Sequence, residues 1–373
     1  MRFPQFNDQW KFATISEVCK TSTGSMNTQD KIEGGAYPFY VRSSTIERAN
    51  KYTYDGIAIL TPGDGAIGKV FHYSEGKIAV HQRVYILSDI TIGTKYLFYY
   101  FADKFYNRVM RLSAKNTVDS VRINMITDMP ISLPSLAEQE KIAGFLSLID
   151  ERIQSCSETI KERKREKAAL RNQLFSQKLR FPKFSDEWQQ TMLGEIAEIK
   201  KGSPLSKVDL IHSGYNLAIH YGELFTQYKE KITQVISRTN LLGFTSLEGD
   251  ILMPSSDVTP RGLATASCIF LNGVILGGDM NIIRSITNQA VPMFLTYALI
   301  FQKDNIISKV SGTTVKHIYP KDLYSLEFYL PSLSEQEKIA DFLSLIDECI
   351  EVEEELLEQY ERQKRYLLKQ MFI

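Results

Sequence analysis

The feature that most constrains this 373-residue chain is a segment that it contains twice. Residues 133–153 read LPSLAEQEKIAGFLSLIDERI and residues 330–350 read LPSLSEQEKIADFLSLIDECI, so the two copies differ at three of 21 positions. A shorter repeat, RFPQFNDQW at residues 2–10 and RFPKFSDEW at residues 180–188, opens each half. Internal repeats decide the architecture before other signals do. We therefore predict two equivalent halves, each made of an opener, a variable body and a helix.

The repeated segment predicts the start of a long helix. Ser135 and Ser332 are each followed three residues later by a glutamate, Glu138 or Glu335, which is the spacing of a capping box. Apolar residues then recur at alternating intervals of four and three, which indicates a coiled-coil seam. The expected helix–helix seam residues are Ile142, Leu146, Ile149, Ile153, Ile160, Leu170, Leu174, Ile339, Leu343, Ile346, Ile350, Leu357 and Leu367. Each helix spans roughly 40 residues by this pattern, or about 60 Å at about 1.5 Å per residue.

Each of these helices needs a partner, and the simplest partner is the other copy. A connection through the second body allows the two helices to lie antiparallel with their seams facing. Residues 161–167, KERKREK, are basic and residues 351–358, EVEEELLE, are acidic, which is compatible with such a pair. Both runs are equally explained as solvated helix faces.

The bodies between openers and helices, at residues 11–132 and 189–329, have a different pattern. Short β-rich runs such as YDGIAIL, GKIAVHQRVYIL, GDILM and NGVILGGDMNIIRSI are separated by Gly, Pro, Asn and Asp. Helices are predicted at TKYLFYYFADKFYNRVM and VPMFLTYALIFQKDNIISKV. The predicted fold class is α+β, with two mixed α/β bodies separated by two long antiparallel coiled-coil helices. The predicted boundaries are 1–132, 133–179, 180–329 and 330–373.

Composition limits where the chain works and what it binds. No stretch of about 18 apolar residues is present and the first residues do not resemble a signal peptide, so we expect a cytoplasmic protein without a membrane segment. Lys plus Arg equals Asp plus Glu at 44 each. This balance gives no support for nucleic-acid binding, although a neutral total can hide a basic face. The four cysteines lack the paired spacing of a zinc site, so no metal site is expected.

One segment has the spacing of a cofactor motif. GDGAIG places Gly63, Gly65 and Gly68 as in a dinucleotide-binding loop, but such glycines must open a helix. The following residues, KVFHYSEGKIAV, favour strands, so a turn between strands is the better interpretation. Walker, zinc-protease, nucleophile-elbow and kinase motifs are absent from the sequence. We expect neither catalytic residues nor a cofactor in this chain.

The loops are rich in side chains that contact nucleic acid. Arg, Lys, Asn, Gln, Ser and Thr read base edges, and Lys, Arg and hydroxyl groups hold phosphates. Candidates in the first body are Lys20, Thr21, Ser22, Thr23, Arg42, Ser43, Ser44, Arg83 and Lys115. Candidates in the second body are Lys200, Lys201, Ser203, Ser255, Ser256, Thr259, Arg261, Thr313, Thr314, Lys316 and His317. An ordinary solvated loop remains the simpler explanation of any one of them taken alone.

The whole arrangement resembles the specificity subunits of type I restriction-modification systems. The resemblance rests on both copies of the LPSL-EQEKIA-FLSLID segment, on the openers RFPQF and RFPKF with their tryptophans, and on GDILMPSSD at residues 249–257. It implies two target-recognition domains, each reading one half of a split sequence in double-stranded DNA, with helices that fix the spacing. It also implies two methyltransferase subunits docked on the helices and restriction/translocase subunits in the larger complex. S-adenosylmethionine, ATP and Mg would be used by those partners.

Two other functions stay open at this point. The chain could be a protein-interaction scaffold whose helical seams recruit partners without DNA. It could also be an enzyme that uses GDGAIG. The first body has DGIAILTPGDGAIGKV where the second has GDILM, so equivalent positions outside the repeats are not defined by the sequence.

Overall fold

The structure, a computed structural model, describes residues 2–112 and 120–372. The chain forms two compact units: residues 1–158 with 354–373 make unit 1, and residues 159–353 make unit 2. Each unit combines one variable body with one part of each long helix. The predicted class, two mixed α/β bodies and two long helices, is confirmed.

Unit 1 contains the first body. Its strands are β1 (Lys11–Thr14), β2 (Lys20–Thr23), β3 (Tyr37–Tyr40), β4 (Ile46–Ala49), β5 (Tyr54–Asp55), β6 (Ala58–Pro62), β7 (His72–Ser74), β8 (Lys77–Val80), β9 (Val84–Ser88) and β10 (Pro130–Leu133). Its helices are α1 (Ile15–Val18), α2 (Thr94–Leu112), α3 (Ile123–Thr127) and the first part of α4 (Leu136–Phe175).

Two four-stranded sheets form this body, in the orders β2-β9-β6-β7 and β4-β3-β8-β5, and β1 pairs with β10. Every residue of β6 is buried, as expected for a strand that is covered on both faces. Helix α2 places Tyr96, Phe101 and Phe105 in a core that also contains Ile59 and Leu87 of the first sheet. Because that core includes residues of α4, the body and the helix are packed as one unit.

Unit 2 contains the second body. Its strands are β11 (Gln189–Met192), β12 (Ala197–Lys201), β13 (Asn216–Ile219), β14 (Lys231–Ile232), β15 (Arg238–Thr239), β16 (Asp250–Pro254), β17 (Ser256–Asp257), β18 (Ser267–Ile269), β19 (Ile275–Leu276), β20 (Met280–Ser285), β21 (Lys316–His317) and β22 (Glu327–Leu330). Its helices are α5 (Leu193–Ile196), α6 (Glu223–Thr226), α7 (Pro292–Phe301), α8 (Lys303–Ser308), α9 (Pro320–Tyr324) and the first part of α10 (Leu333–Met371). The main sheets have the orders β12-β20-β16-β18-β14 and β15-β13-β19.

The two bodies share one strand frame despite their different sequences. Pro62 ends β6 opposite Val84 of β9, and Pro254 ends β16 opposite Met280 of β20. Strand β6 is therefore the equivalent of β16, and the segment around GDGAIG is the equivalent of the one that follows GDILMP. The sequence alone left this equivalence undefined because only the strand register reveals it.

The glycines of GDGAIG lie in bends and a turn between β6 and β7. Gly65 and Gly68 have φ values of +72° and +64°, which favour glycine in a turn. These glycines lie between two strands and do not open a helix, so the predicted strand-to-strand turn is confirmed.

One predicted helix of the second body is divided in two. Helix α7 ends before Gln302, whose φ and ψ of −81° and 18° are not helical, and α8 follows at once. The side-chain amide of Gln302 donates to the carbonyl oxygen of Glu327, the first residue of β22. This hydrogen bond holds the point where the helix is interrupted against β22.

The repeated glutamates explain why the openers are repeated too. Arg2 donates from Nε and Nη2 to the two carboxylate oxygens of Glu138, both at 2.7 Å, and Arg180 binds Glu335 in the same way at 3.0 and 2.7 Å. The amide of Glu138 donates to Ser135 Oγ at 3.4 Å, which is the serine half of the predicted capping box. The glutamate carboxylate, however, is used to hold the opener against the helix start.

The glutamine that follows each glutamate attaches the long helix to its body. Gln139 Oε1 accepts from the amide of Gly93 at 2.9 Å, and Gln336 Oε1 accepts from the amide of Val291 at 2.8 Å. These amides precede α2 and α7 respectively, so the repeated segment fixes the same helix in both bodies.

In unit 1 the first part of α4 lies beside the last part of α10. Asp150 Oδ1 is 2.5 Å from Lys364 Nζ, and Asp150 Oδ2 accepts from the Tyr99 hydroxyl at 2.7 Å. Leu146 and Leu367 belong to the same buried core. The start of one helix thus packs against the end of the other, which is the predicted antiparallel direction.

Unit 2 contains the reciprocal arrangement. Lys167 of α4 pairs with Asp347 of α10, whose other oxygen accepts from the Tyr297 hydroxyl at 2.7 Å. Lys167 is buried and also lies 2.7 Å from Glu230 of the body. This lysine belongs to the basic run that we interpreted as facing residues 351–358 or solvent, so its actual partners differ from that expectation.

The predicted seam residues are all buried or half-buried. Those that are buried are Ile142, Leu146, Ile149, Ile160, Leu174, Ile339, Leu343, Ile350 and Leu367, and those that are half-buried are Ile153, Leu170, Ile346 and Leu357. Helices α4 and α10 are 40 and 39 residues long, as the heptad pattern predicts.

The second body carries an insertion between β13 and β15. Twelve positions separate Tyr37 from its strand partner Ala49, whereas 23 separate Asn216 from its equivalent partner Thr239, so the insertion adds eleven residues. It contains α6 and β14, and Glu230 lies immediately before β14. The insertion therefore supplies the body side of the ion pair with Lys167.

Candidate nucleic-acid interface

Three loops of unit 1 meet at one end of the first sheet. The amide of Gly63 donates to the carbonyl of Arg83 and the amide of Val121 donates to the carbonyl of Gly63, both at 2.7 Å. The Tyr85 hydroxyl donates to the carbonyl of Val121 at 2.9 Å. These contacts join the loop after β6, the turn before β9 and the segment before α3. We call this set of contacts loop junction 1.

Unit 2 has the same arrangement, which we call loop junction 2. The amide of Ser255 donates to the carbonyl of Asp279 at 2.9 Å, and the amide of Ile318 donates to the carbonyl of Ser255 at 3.1 Å. The side-chain amide of Asn281 donates to the carbonyl of Ile318 at 3.1 Å. The main-chain bonds of the two junctions correspond one to one, although the side chains differ.

A glycine follows the first strand of the main sheet in each body, next to the junction. A Cβ atom on Gly24 would lie 2.2 Å from the carbonyl oxygen of Val80, and one on Gly202 would lie 2.1 Å from that of Gly277. No other residue fits such contacts with main-chain atoms, so glycine is required for the chain to cross here.

Several candidates of the first body gather at loop junction 1. Arg42, Ser43, Ser44 and Arg83 are exposed. Arg42 Nη1 lies 3.5 Å from the carboxylate of Asp64, within the loop that follows β6. The carbonyl of Arg83 is part of the junction, and Arg83 itself is exposed.

The other candidates of this body lie on β2 or outside the described residues: Lys20, Thr21, Ser22, Thr23 and Lys115. Thr23 ends β2 beside Gly24, whereas Lys20 begins β2 at the far end, opposite Ser88. Only the Thr23 end adjoins the junction. Lys115 belongs to residues 113–119, which the structure does not describe.

Candidates of the second body meet through a small two-stranded pairing at loop junction 2. Strand β17 pairs with β21, which places Ser256 opposite His317 and Asp257 opposite Lys316. The turn that leads into β21 carries Thr313 and Thr314, both exposed. The candidates of the loop after β16 are Ser255, Ser256, Thr259 and Arg261, of which Thr259 and Arg261 are exposed.

Lys200, Lys201 and Ser203 lie at the end of β12. Lys200 Nζ is 2.7 Å from Glu198, and both lysines are exposed. Ser203 Oγ accepts from the amide of Phe244 at 2.6 Å, so this hydroxyl already has a structural partner.

The histidines at loop junction 1 do not supply its positive charge. His81 Nδ1 accepts from the amide of Arg83 at 3.0 Å. Burial lowers the pKa of His81, with a further contribution from Arg42, and burial also lowers the pKa of His72. Both rings are therefore neutral near pH 7, and among the described candidates at this junction Arg42 and Arg83 carry the positive charge.

Sequence reasoning missed two kinds of site residue. The openers' Arg2 and Arg180 recur with Glu138 and Glu335 in both halves, so the repeat itself could have revealed these pairs. Tyr85 and Asn281 give no such signal, because different residue types occupy one equivalent position and only strand register relates them.

Comparison with known proteins identifies a family for both halves. The family described as "Type I restriction modification DNA specificity domain" matches residues 7–163 and 185–362. The EcoDI specificity subunit of Escherichia coli is 28% identical over 146 residues, covering 39% of this chain and 32% of that protein. The MjaVIII specificity subunit of Methanocaldococcus jannaschii is 22% identical across 97% of this chain and 91% of its own length.

Solved structures share the fold. The S subunit of a type I restriction-modification system from M. genitalium matches with a TM-score of 0.68 and 19% identity, covering 100% of this chain and 97% of that one. A chain from a study of type I complex assembly and conformational transition matches with a TM-score of 0.57 and 16% identity, over 99% and 98% of the two chains.

Across the part of the chain that the structure describes, no helix combines the length and apolar character needed to cross a membrane. The family match spans most of both halves, and both bodies carry the same strand frame and loop junction. This chain therefore belongs to the DNA specificity subunits of type I restriction-modification systems, and its two bodies are target-recognition domains.

Proposed function

We propose that each body reads one half of a bipartite, asymmetric site in double-stranded DNA, and that α4 and α10 set the spacing between the halves. The observation that carries this proposal is the repeated loop junction. The same main-chain hydrogen bonds support different exposed side chains, which include Arg42 and Arg83 in one body and Arg261, Thr313 and Thr314 in the other. Because side chains at base edges determine sequence preference, two unlike junctions favour two unlike half-sites.

The partners in this proposal are two methyltransferase subunits, one docked on each repeat, with restriction/translocase subunits joining the larger complex. Leu148 and Leu345 occupy the same repeat position and are 61% and 60% exposed. An exposed apolar side chain kept at equivalent positions suits a partner that binds twice.

The proposal assigns all covalent chemistry to those partners. N6-methylation of adenine with S-adenosylmethionine, and DNA cleavage with ATP and Mg, take place in the partner subunits. This chain selects the site, binds no cofactor of its own and works in the cytoplasm with its complex.

The test is a map of N6-methyladenine across the host genome, with the gene intact, deleted and restored. We expect deletion to abolish methylation at one split, asymmetric motif and restoration to return it. A deletion that leaves every methylated motif in place, in cells whose methyltransferase subunit is expressed, would favour the scaffold function instead.

A further inference from the structure

Tyr85 and Asn281 occupy one equivalent position in the two bodies. Tyr85 lies on β9 opposite Thr23 of β2 and Thr61 of β6. Asn281 lies on β20, and its partners Lys201 and Met253 are the equivalent residues of β12 and β16. Tyr85 follows Val84, the strand partner of Pro62. Asn281 follows Met280, the strand partner of Pro254.

In each body, the polar group at this position donates a hydrogen bond to a main-chain carbonyl. Asn281 is 0% exposed on a strand whose neighbours Met280, Ile282 and Ile283 are buried apolar residues. A buried amide in such surroundings is unfavourable unless it forms hydrogen bonds. Its Nδ2 donates to the carbonyl of Ile318, the residue that follows β21.

Tyr85 makes the same connection with different chemistry. Its hydroxyl donates to the carbonyl of Val121, which is the residue equivalent to Ile318 in loop junction 1. Burial raises the pKa of Tyr85, so the hydroxyl keeps its proton and remains a donor. Two unlike side chains thus provide one donor to one carbonyl group.

The loops held by this donor carry the proposed contacts. Ile318 directly follows Lys316 and His317, and its amide is bonded to the loop that begins at Ser255. Val121 is bonded to Gly63, which is bonded to Arg83. A change in the angle of this one peptide group would move the exposed side chains on either side of it.

We propose that Asn281 and Tyr85 are positioning residues for base reading, each fixing the loops of one body through the carbonyl of Ile318 or Val121. This inference rests on the proposed reading of one half-site by each body. It assigns an effect on specificity to two residues whose polar groups are hydrogen-bonded within the protein, and it makes their effects separable by half-site.

The experiment uses the full chain expressed with its partner subunits in cells, with methylation measured at every single-base variant of the motif. Tyr85→Phe removes one oxygen atom and Asn281→Leu replaces a buried amide by a side chain of similar size. We expect each variant to reduce discrimination at one or two positions of one half-site by roughly tenfold, the scale of a single base contact. The two variants should affect opposite halves.

Matched controls remove polar groups elsewhere in the same bodies. Tyr73→Phe deletes a hydroxyl that bonds Glu75 and Thr94, and Thr296→Val deletes a fully buried hydroxyl in α7. We expect both controls to keep the base preferences of the native protein. The amount of assembled complex, measured by co-purification, separates loss of protein from loss of specificity.

Several results would overturn the inference. These are unchanged preferences in Tyr85→Phe, relaxation of both halves by one variant, or equal relaxation in the controls. If Asn281→Leu fails to assemble, Tyr85→Phe decides the question alone. If the native chain itself directs no methylation to a split motif, the proposed function has failed, and that result is distinct from a failure of the positioning role.

Discussion

At the scale of single residues, the buried Lys167 forms ion pairs with two carboxylates. Its ammonium group lies between Glu230 and Asp347, and its side chain is 8% exposed. Burial and the neighbouring Glu230 raise the pKa of Asp347, whereas Lys167 acts in the opposite direction and favours the charged carboxylate. Removing one partner of a buried ion pair is far more costly than losing an exposed pair.

We therefore predict that Lys167→Met lowers the free energy of unfolding of unit 2 by about 3 kcal/mol. Urea unfolding in a Trp10→Phe background measures this, because Trp188 then reports on unit 2 alone. Lys161→Met, the same change at an exposed residue of the same helix, should stay within about 0.5 kcal/mol of the parent. Equal effects of the two substitutions would contradict the argument.

Histidine burial predicts how stability depends on pH. Burial lowers the pKa of His72 in the folded chain below the ordinary value of 6.5, so the unfolded chain binds a proton more readily. Stability from this source is complete above that ordinary value and is lost as the pH falls through it toward the folded pKa.

We expect His72→Gln to weaken the fall in thermal midpoint between pH 7.5 and pH 5.5. It should not abolish the fall, because burial also lowers the pKa of His81 and His220. A slope that is the same in His72→Gln as in the native chain would rule out this contribution.

At the scale of elements, the long helices were the part of the fold most open to prediction. Their heptads, caps and repeats are local in sequence, and α4 and α10 have the predicted lengths. Many strands were also predicted from apolar runs bounded by turns. The break at Gln302 was not, because it depends on a bond to a residue 25 positions away.

The candidate interface was predicted only in part. Residue types pointed to the loops, but they do not show which loops meet. Lys20 and Thr23 are close in sequence and lie at opposite ends of β2, and the Ser203 hydroxyl is bonded within the body. Main-chain groups far apart in sequence can form these contacts whatever their side chains are. The residue types therefore do not reveal which loops meet.

The exposed leucines of the repeated segment, Leu148 and Leu345, lead to a prediction about assembly of the complex. If the methyltransferase subunit docks on each repeat, Leu148→Glu or Leu345→Glu should remove one copy from the complex and the double variant should remove both. Native mass spectrometry of the purified complex counts the copies. Val352→Glu changes a residue of α10 that is 64% exposed but lies outside the repeat, so it should retain both. Two copies in each single variant would place the docking surface elsewhere.

At the scale of the whole molecule, the proposed spacing role depends on helix length. Removing residues 151–164 from α4 and the equivalent residues 348–361 from α10 deletes two heptads from each and keeps Asp150, Lys167, Asp347 and Lys364. At about 1.5 Å per helical residue, 14 residues correspond to about 21 Å. That length is about six base pairs of DNA, at about 3.4 Å for each pair.

We predict that this paired deletion shortens the non-specific spacer of the methylated motif by about six base pairs while both half-sites keep their sequence. Methylome sequencing reads both properties at once. Deleting only one of the two segments breaks the match between the helices and should abolish methylation. A spacer of native length in the paired deletion would show that the helices do not set it.

The loop junctions have a consequence for how such a protein can evolve. Gly63, Val121, Ser255 and Ile318 take part through main-chain amides and carbonyls, which every residue except proline can provide. Side chains on the adjoining loops can therefore mutate with little effect on folding. If each body reads one half-site as proposed, substitutions in these loops can change the preference of one body while the main-chain bonds of its junction are kept, and the two junctions can change independently.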